Sequence, residues 1–133
     1  MISHLLRRFG LAFCFVSFGI WELVNPAYWS GFVPPFMAHL IDPFLLVRMH
    51  GVALTVVGLA VLFGFLLRVS SALAVLIMLE ILGSLWFEAG FTDIFVRDVA
   101  ILFLAGSILA ESWPPSSRYA NSKKESTDAQ STG

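Results

Sequence analysis

Charged residues and cysteine are both scarce in this chain of 133 residues. Charged side chains make up 13% of it, about half the share of a typical soluble domain. Hydrophobic residues make up 58%, and the mean hydropathy is +0.85. A single soluble domain of this length cannot bury so much apolar surface. The one cysteine, Cys14, excludes an internal disulfide, a CxxC redox pair and a thiolate metal site. The formal net charge of -1 provides no basic field for nucleic acid.

The few charges are unevenly distributed. Of the 8 basic and 9 acidic residues, six lie among residues 111–133, and the preceding residues hold the other 11. An apolar body with a polar end is typical of a small integral membrane protein. We therefore expect a membrane domain over residues 1–110. Residues 111–133 are rich in Ser, Thr, Lys, Asn and Gln, and we expect them to form a disordered cytoplasmic tail.

Four apolar segments predict four membrane-spanning helices, since a span needs about 20 mostly apolar residues. They cover residues 9–23, 45–67, 69–87 and 94–109. Lipid offers no partner to backbone polar groups, so the expected fold is all-α, an integral membrane four-helix bundle. Arg68 separates the second segment from the third and predicts a tight hairpin there. The first segment ends in bulky residues instead of a small-residue cleavage site, so we expect a retained helix and not a signal peptide.

Basic residues predict that both termini are cytoplasmic, in a plasma or inner membrane. With the N-terminus inside, the cytoplasmic side carries Arg7, Arg8, Arg68, Arg118, Lys123 and Lys124. The outer side carries Arg48 and Arg97. Trp21, Tyr28 and Trp29 are then expected at the outer interface.

The first outer loop, residues 25–44, contains apolar residues at helical spacing. Pro34 and Pro35 suit a helix start, and Pro43 suits its end. The loop therefore predicts a short amphipathic helix on the outer membrane surface. An irregular loop with chance apolar spacing is the alternative. At the start of the fourth span, Thr92 or Asp93 is expected to cap the helix.

Charged side chains from all four predicted spans fall in the same outer half, and ionisable residues within a membrane are costly. We predict a polar cluster in the bundle interior with three acids against two bases. Its members are Glu22, Arg48, Glu80, Arg97 and Asp98. Glu80 is expected to be the deepest and most desolvated, to face the interior and to contact Arg48 or Arg97. Gly19, Gly51 and Gly58 lie beside these charges and favour close helix packing.

Other interpretations of these residues remain open. Buried ion pairs can fix helix register without binding a ligand, and Arg48 and Arg97 can extend to the outer interface. No metal site is expected, because His39 and His50 have no second ligand at helical spacing; both are expected at the surface or interface. Cys14 is expected to pack as an apolar residue.

Several motifs, in this order and spacing, resemble the DoxX-like family of small four-helix membrane proteins. They are the opening of the first span at residues 8–13, its close at residues 18–26, the glycines 51, 58 and 64, and the Arg97-Asp98 pair. The resemblance covers about residues 1–110. Glu22 stands where a lysine is frequent in that family. Some relatives are membrane subunits of thiosulfate:quinone oxidoreductases, and others are linked to redox stress.

The resemblance implies an accessory or quinone-binding subunit of a membrane redox system, acting as part of an oxidoreductase complex and not as an enzyme on its own. The sequence has no haem ligand pair, no flavin motif and no cysteine pair, so no covalent cofactor is expected, and a redox role requires a bound quinone or a partner protein. Its partners would be the lipid bilayer and an oxidoreductase subunit or a second copy, and not nucleic acid. Arg48 and Glu80 would bond quinone carbonyls in an aromatic pocket formed by Phe15, Phe18, Trp21 and Phe87. A small proton-coupled transporter and a ligand-free scaffold or assembly protein are the alternatives.

The predicted orientation is tested by cysteine accessibility. We expect a Ser116→Cys variant to react with a membrane-impermeant maleimide only after the cells are opened, because residue 116 follows the last predicted span on the cytoplasmic side. Labelling of that variant from outside intact cells would refute the orientation.

Overall fold

A computed structural model describes residues 1–113, 123–125, 127, 129 and 130. The described chain is all-helical, as the sequence predicts. Its six helices are α1 (Ile2–Val24), α2 (Pro26–Ser30), α3 (Pro35–Ala38), α4 (Pro43–Phe63), α5 (Leu67–Glu88) and α6 (Asp93–Ser112). The predicted tail lies mostly outside the described residues. Its first two residues, Glu111 and Ser112, belong to α6, and the described residues between 123 and 130 are helical.

Two helices have the length and hydropathy of membrane spans. They are α4 and α5, with mean hydropathies of 2.0 and 1.9. Within the described residues, α1 and α6 do not reach the same criterion. Arg7 and Arg8 lie inside α1, and Arg97 and Asp98 lie inside α6, so these two long helices are less apolar along their length.

A tight turn joins α4 to α5, but it lies earlier than predicted. The turn occupies residues 64–66, and Arg68 belongs to the first turn of α5. Gly64 ends α4 in the left-handed conformation with φ 72 and ψ 20. The amide of Phe65 then donates to the carbonyl of Ala60 at 2.9 Å, the bond that closes a Schellman-type helix end. The glycine, and not the charge at Arg68, decides where the hairpin turns.

Three glycines bring α1 and α4 into backbone contact. A Cβ atom added to Gly19 would lie 2.6 Å from the carbonyl oxygen of Gly51, and one added to Gly51 would lie 2.8 Å from that of Gly19. One added to Gly58 would lie 2.9 Å from the Cβ atom of Phe15. The small-residue stripe expected on α4 therefore packs on α1, as such stripes do when helices associate closely.

The four long helices share one apolar core. The most extensive helix pairs are α1 with α4 and α5 with α6, and contacts of α4 with α5 and of α1 with α6 close the ring. Side chains from every long helix meet in the middle, with Leu11 and Phe15 from α1, Leu54 and Val61 from α4, Ala74 and Met78 from α5, and Ile101, Ala105 and Ile108 from α6.

Arginines stabilise the ends of α4 and α6 at the end of the ring that holds the N-terminus. Arg8 Nε donates to the carbonyl oxygen of Val61 at 3.1 Å, and Arg68 Nε donates to that of Ser112 at 2.9 Å. Helix C-termini carry partial negative charge and unpaired carbonyls, which favour such cations. Basic residues at this end therefore hold the helix ends in place.

The loop between α1 and α4 contains two short helices where the sequence predicts one. Pro34 and Pro35 begin α3 as expected, but α3 ends at Ala38, well before Pro43. The other, α2, begins at Pro26 directly after α1. At the start of α6, Thr92 is the N-cap residue, and its Oγ1 accepts the amide N–H of Phe95 at 3.3 Å.

Gly19→Ala tests the backbone contact between α1 and α4. We expect it to lower the free energy of unfolding by about 1–3 kcal/mol, because the added methyl group overlaps backbone atoms that cannot move independently. Unfolding in detergent micelles, followed by circular dichroism, measures this. Gly83→Ala is the matched control: a Cβ atom there would meet nothing within 4 Å. Equal stability of the two variants would contradict the contact.

Candidate functional site

A cavity of about 350 Å³ lies between the long helices at the end that carries α2 and α3. We call it the central cavity. Its volume falls within the range of small-molecule sites, about 300–1,000 Å³. Its walls are mainly apolar and include the aromatic rings of Phe15, Phe18, Trp29 and Phe32. Its ionisable side chains are those of Glu22, His50, Glu80, Arg97 and Asp98.

His50 lies between two glutamates in the wall of this cavity. Its Nδ1 is 2.8 Å from Oε2 of Glu22, and its Nε2 is 3.3 Å from Oε2 of Glu80. The side chain of Glu22 is 8% exposed and that of Glu80 is 55% exposed. The imidazole therefore connects a buried carboxylate on α1 with an open carboxylate on α5.

The close contact of α1 and α4 produces the Glu22–His50 pair. Glu22 follows Gly19 by three residues on α1, and a Cβ atom added to Gly51 would lie 3.0 Å from the Cβ atom of Glu22. His50 directly precedes Gly51. The sequence analysis expected His50 at the surface or interface, and that expectation was wrong. The sequence does contain a signal for this pair. Packing the glycine-containing face of α1 against that of α4 brings Glu22 beside His50.

Arg97 and Asp98 form a second polar pair on the cavity wall. Arg97 Nε lies 3.0 Å from Oδ1 of Asp98, whose side chain is buried. The guanidinium carbon of Arg97 is 4.6 Å from the centroid of the Phe18 ring, a cation–π arrangement. Phe18, Arg97 and Ile101 also line an apolar groove between α1 and α6. Arg97 thus stands between the cavity and this groove.

Arg48 does not belong to the cluster predicted for it. Its side chain is exposed, it does not line the cavity, and within the described chain it makes no hydrogen bond or ion pair. Arg48 lies in the second turn of α4, and a long charged side chain near a helix end can extend away from apolar surroundings. The other four predicted residues do line the cavity.

Glu80 lies in the cavity wall, but the contacts predicted for it are wrong. Among the described residues it forms no ion pair with Arg48 or Arg97, and its partner is His50. Arg97 is already engaged by Asp98, its neighbour in sequence. Asp98 and Glu22, and not Glu80, are the buried carboxylates of the set, with side chains 6% and 8% exposed. Of the four aromatic residues predicted for the pocket, Phe15 and Phe18 line the cavity, whereas Trp21 and Phe87 do not.

Two nitrogen atoms at the cavity are buried without a hydrogen-bond partner in the described chain. They are Nε1 of Trp29 and Nε2 of His50. The contact of His50 Nε2 with Glu80 is short enough for an ion pair but lacks hydrogen-bond geometry. Buried polar atoms are nearly always paired with protein or water. Both residues line the central cavity.

Comparison with known proteins identifies no relative of this chain. No family model, no curated protein and no solved structure matches it. Within the described residues, no group of three His, Cys, Asp or Glu side chains is arranged to hold a metal ion. A functional conclusion therefore depends on the chemistry of the central cavity.

Two double-mutant cycles test how the polar residues are paired. For Glu22→Gln and His50→Gln we expect a coupling free energy of about 1–3 kcal/mol, because either change leaves the other buried group with a weaker partner. For Glu80→Gln and Arg97→Gln we expect a value near zero. Unfolding of the purified variants measures both. A strong Glu80–Arg97 coupling would show that the pairing described here is wrong.

Proposed function

We propose that this chain is a membrane-spanning four-helix bundle whose central cavity binds a quinone or a similar lipid-soluble carbonyl compound. In this proposal it serves as an accessory subunit of a membrane redox system. The observation that carries the proposal is His50, held between Glu22 and Glu80 in the wall of a largely apolar, aromatic cavity.

The apolar surface of α4 and α5 supports a place in the membrane. About one third of each 18-residue apolar window is buried inside the protein, at 33% for both helices. A core helix of a soluble protein would be mostly buried, whereas the remaining apolar faces here suit lipid. The helices α1 and α6, with 23 and 20 residues, are long enough to cross about 30 Å of hydrocarbon beside them.

The two ends of the ring support the proposed orientation. Arg7, Arg8 and Arg68 lie at the end that holds the N-terminus, as expected for a cytoplasmic side. Trp21, Tyr28 and other aromatic residues cluster at the opposite end, where their rings contact one another at centroid distances of 5.2–6.4 Å. Aromatic belts of this kind favour the membrane interface. The central cavity then opens in the outer half of the membrane.

The chemistry of the cavity suits a quinone. Its apolar walls can hold an aromatic ring, and its nitrogen and carboxyl groups can bond carbonyl oxygens. A quinone takes up two electrons and two protons to become a quinol. Imidazole and carboxyl groups are the side chains that exchange protons most readily near neutral pH. Here His50 and Glu80 would exchange the protons, and a partner oxidoreductase would supply or accept the electrons.

The resemblance to the DoxX-like family supports the same proposal. One of the motifs on which it rests, the Arg97-Asp98 pair of α6, contributes to the cavity. Glu22, at the close of α1, also lines the cavity but stands where a lysine is frequent in that family. Some members of that family are membrane subunits of quinone-dependent oxidoreductases. Membership in the family and association with an oxidoreductase subunit or a second copy are parts of this proposal.

A proton-coupled transporter is the second candidate, and one observation favours it. The Glu22–His50–Glu80 chain joins a buried carboxylate to an open one, so it offers sites where a substrate and a proton could exchange. In that case substrate addition would release protons from the purified protein. A ligand-free scaffold would show neither ligand binding nor proton release.

Ligand binding by purified protein tests the proposed function. We expect decylubiquinone to bind wild-type protein in mild detergent, measured by calorimetry, and quinone to be present in its organic extract. Glu80→Gln and His50→Gln should weaken binding by about tenfold or more, as expected for loss of a charged hydrogen-bonding group. Arg48→Gln is the matched control and should bind normally, because Arg48 lies outside the cavity.

Three outcomes of this experiment separate the candidates. Absence of binding to wild-type protein, with no quinone in the extract, would refute the quinone proposal. Proton release on addition of a cationic substrate, without quinone binding, would favour the transporter. Equal binding by wild type and both cavity variants would place the ligand elsewhere on the protein.

A further inference from the structure

Trp29 lines the central cavity, and its ring contacts four aromatic neighbours. It lies near the end of α2, the five-residue helix that follows α1. Its ring meets Phe18 and Trp21 edge to face, with centroids 6.0 and 5.8 Å away. Tyr28 and Phe32 lie 5.2 and 6.0 Å away. These contacts surround the indole ring with aromatic side chains.

The indole N–H has no partner although it is buried. Trp29 lines the central cavity, and its Nε1 is buried with no hydrogen-bond acceptor of the described chain within reach. An indole nitrogen can donate but cannot accept. A phenylalanine in its place would keep an aromatic ring among these neighbours and would remove the donor. Within the described residues, the N–H group of Trp29 has no partner.

His50, on a different helix, also lines the central cavity, and its Nε2 is buried without a hydrogen-bond partner in the described chain. Because Nδ1 faces the carboxylate of Glu22 at 2.8 Å, that nitrogen carries the proton of the neutral ring. The other nitrogen, Nε2, then accepts in the neutral imidazole and donates in the imidazolium. The two sites therefore differ: His50 can give or take a proton, whereas Trp29 can only donate a hydrogen bond.

From this arrangement we infer that Trp29 is a specificity-determining residue, whose indole N–H bonds a carbonyl oxygen of the ligand in the central cavity. The inference rests on the proposed function and adds to it a requirement on the ligand. A ligand must present an acceptor oxygen to α2. The short helix is thus part of the binding site and not a simple connection between spans.

Trp29→Phe tests this inference, because it keeps an aromatic ring and removes the donor. We expect it to weaken binding of decylubiquinone by about 3- to 10-fold, the effect of losing one neutral hydrogen bond. Binding of decylbenzene, which has no acceptor oxygen, should not change. Trp86→Phe is the matched control, since Trp86 is exposed and lies outside the cavity. Calorimetry in one detergent measures all three proteins.

An NMR measurement on wild-type protein keeps the test valid if Trp29→Phe does not fold. Addition of decylubiquinone should shift the indole ¹⁵N–¹H signal of Trp29 downfield, and decylbenzene should not. Binding by wild type with an unchanged Trp29 signal, or equal affinity of Trp29→Phe, would overturn the inference. An equal loss of decylbenzene binding would also overturn it, because the ring and not the N–H would then matter. Absence of binding by wild type would instead refute the proposed function.

Discussion

The backbone contact between α1 and α4 is the constraint on which the rest of the site depends. Gly19 and Gly51 leave no room for a Cβ atom between the two helices, and this closeness places Glu22 directly beside His50. A wider separation would leave the Glu22 carboxylate buried without its partner, which is costly. Only Asn25 separates the end of α1 from the start of α2, so the placement of α1 also affects where α2 and Trp29 lie.

Hydropathy, together with the residues that begin or end helices, allowed much of the helical framework to be predicted. The four long helices fall on the four apolar segments, and Thr92 caps α6 as one of two candidates. The hairpin turn was predicted too late in the sequence, because the prediction placed it at the charged residue Arg68. The left-handed backbone at Gly64 decides the turn, and glycine is the residue type that adopts it without steric cost. Local backbone chemistry was the stronger signal.

Four of the five ionisable side chains of the cavity were predicted from the sequence, but their pairing was not. Helical periodicity gives the angular position of a side chain around the axis of its helix. It does not say which neighbouring helix that side chain contacts. Arg48 was therefore expected to meet Glu80, although it lies in the second turn of α4 and extends away from the cavity. His50 was left out of the predicted cluster because it was considered only as a metal ligand. A partner on another helix, Glu22, gives it a different role.

The pairing of Glu22 with His50 also has a consequence for biosynthesis. The two residues are 28 positions apart in sequence, and Glu22 leaves the ribosome first. Until residue 50 has been made, the carboxyl group of Glu22 does not have the His50 imidazole beside it, and α1 lacks this contact. Its carboxylate gains the imidazole of His50 as a partner when α4 packs beside α1. We therefore expect α1 to reach its final position only after α4 has been made. A nascent chain truncated before residue 50 would leave Glu22 without its partner.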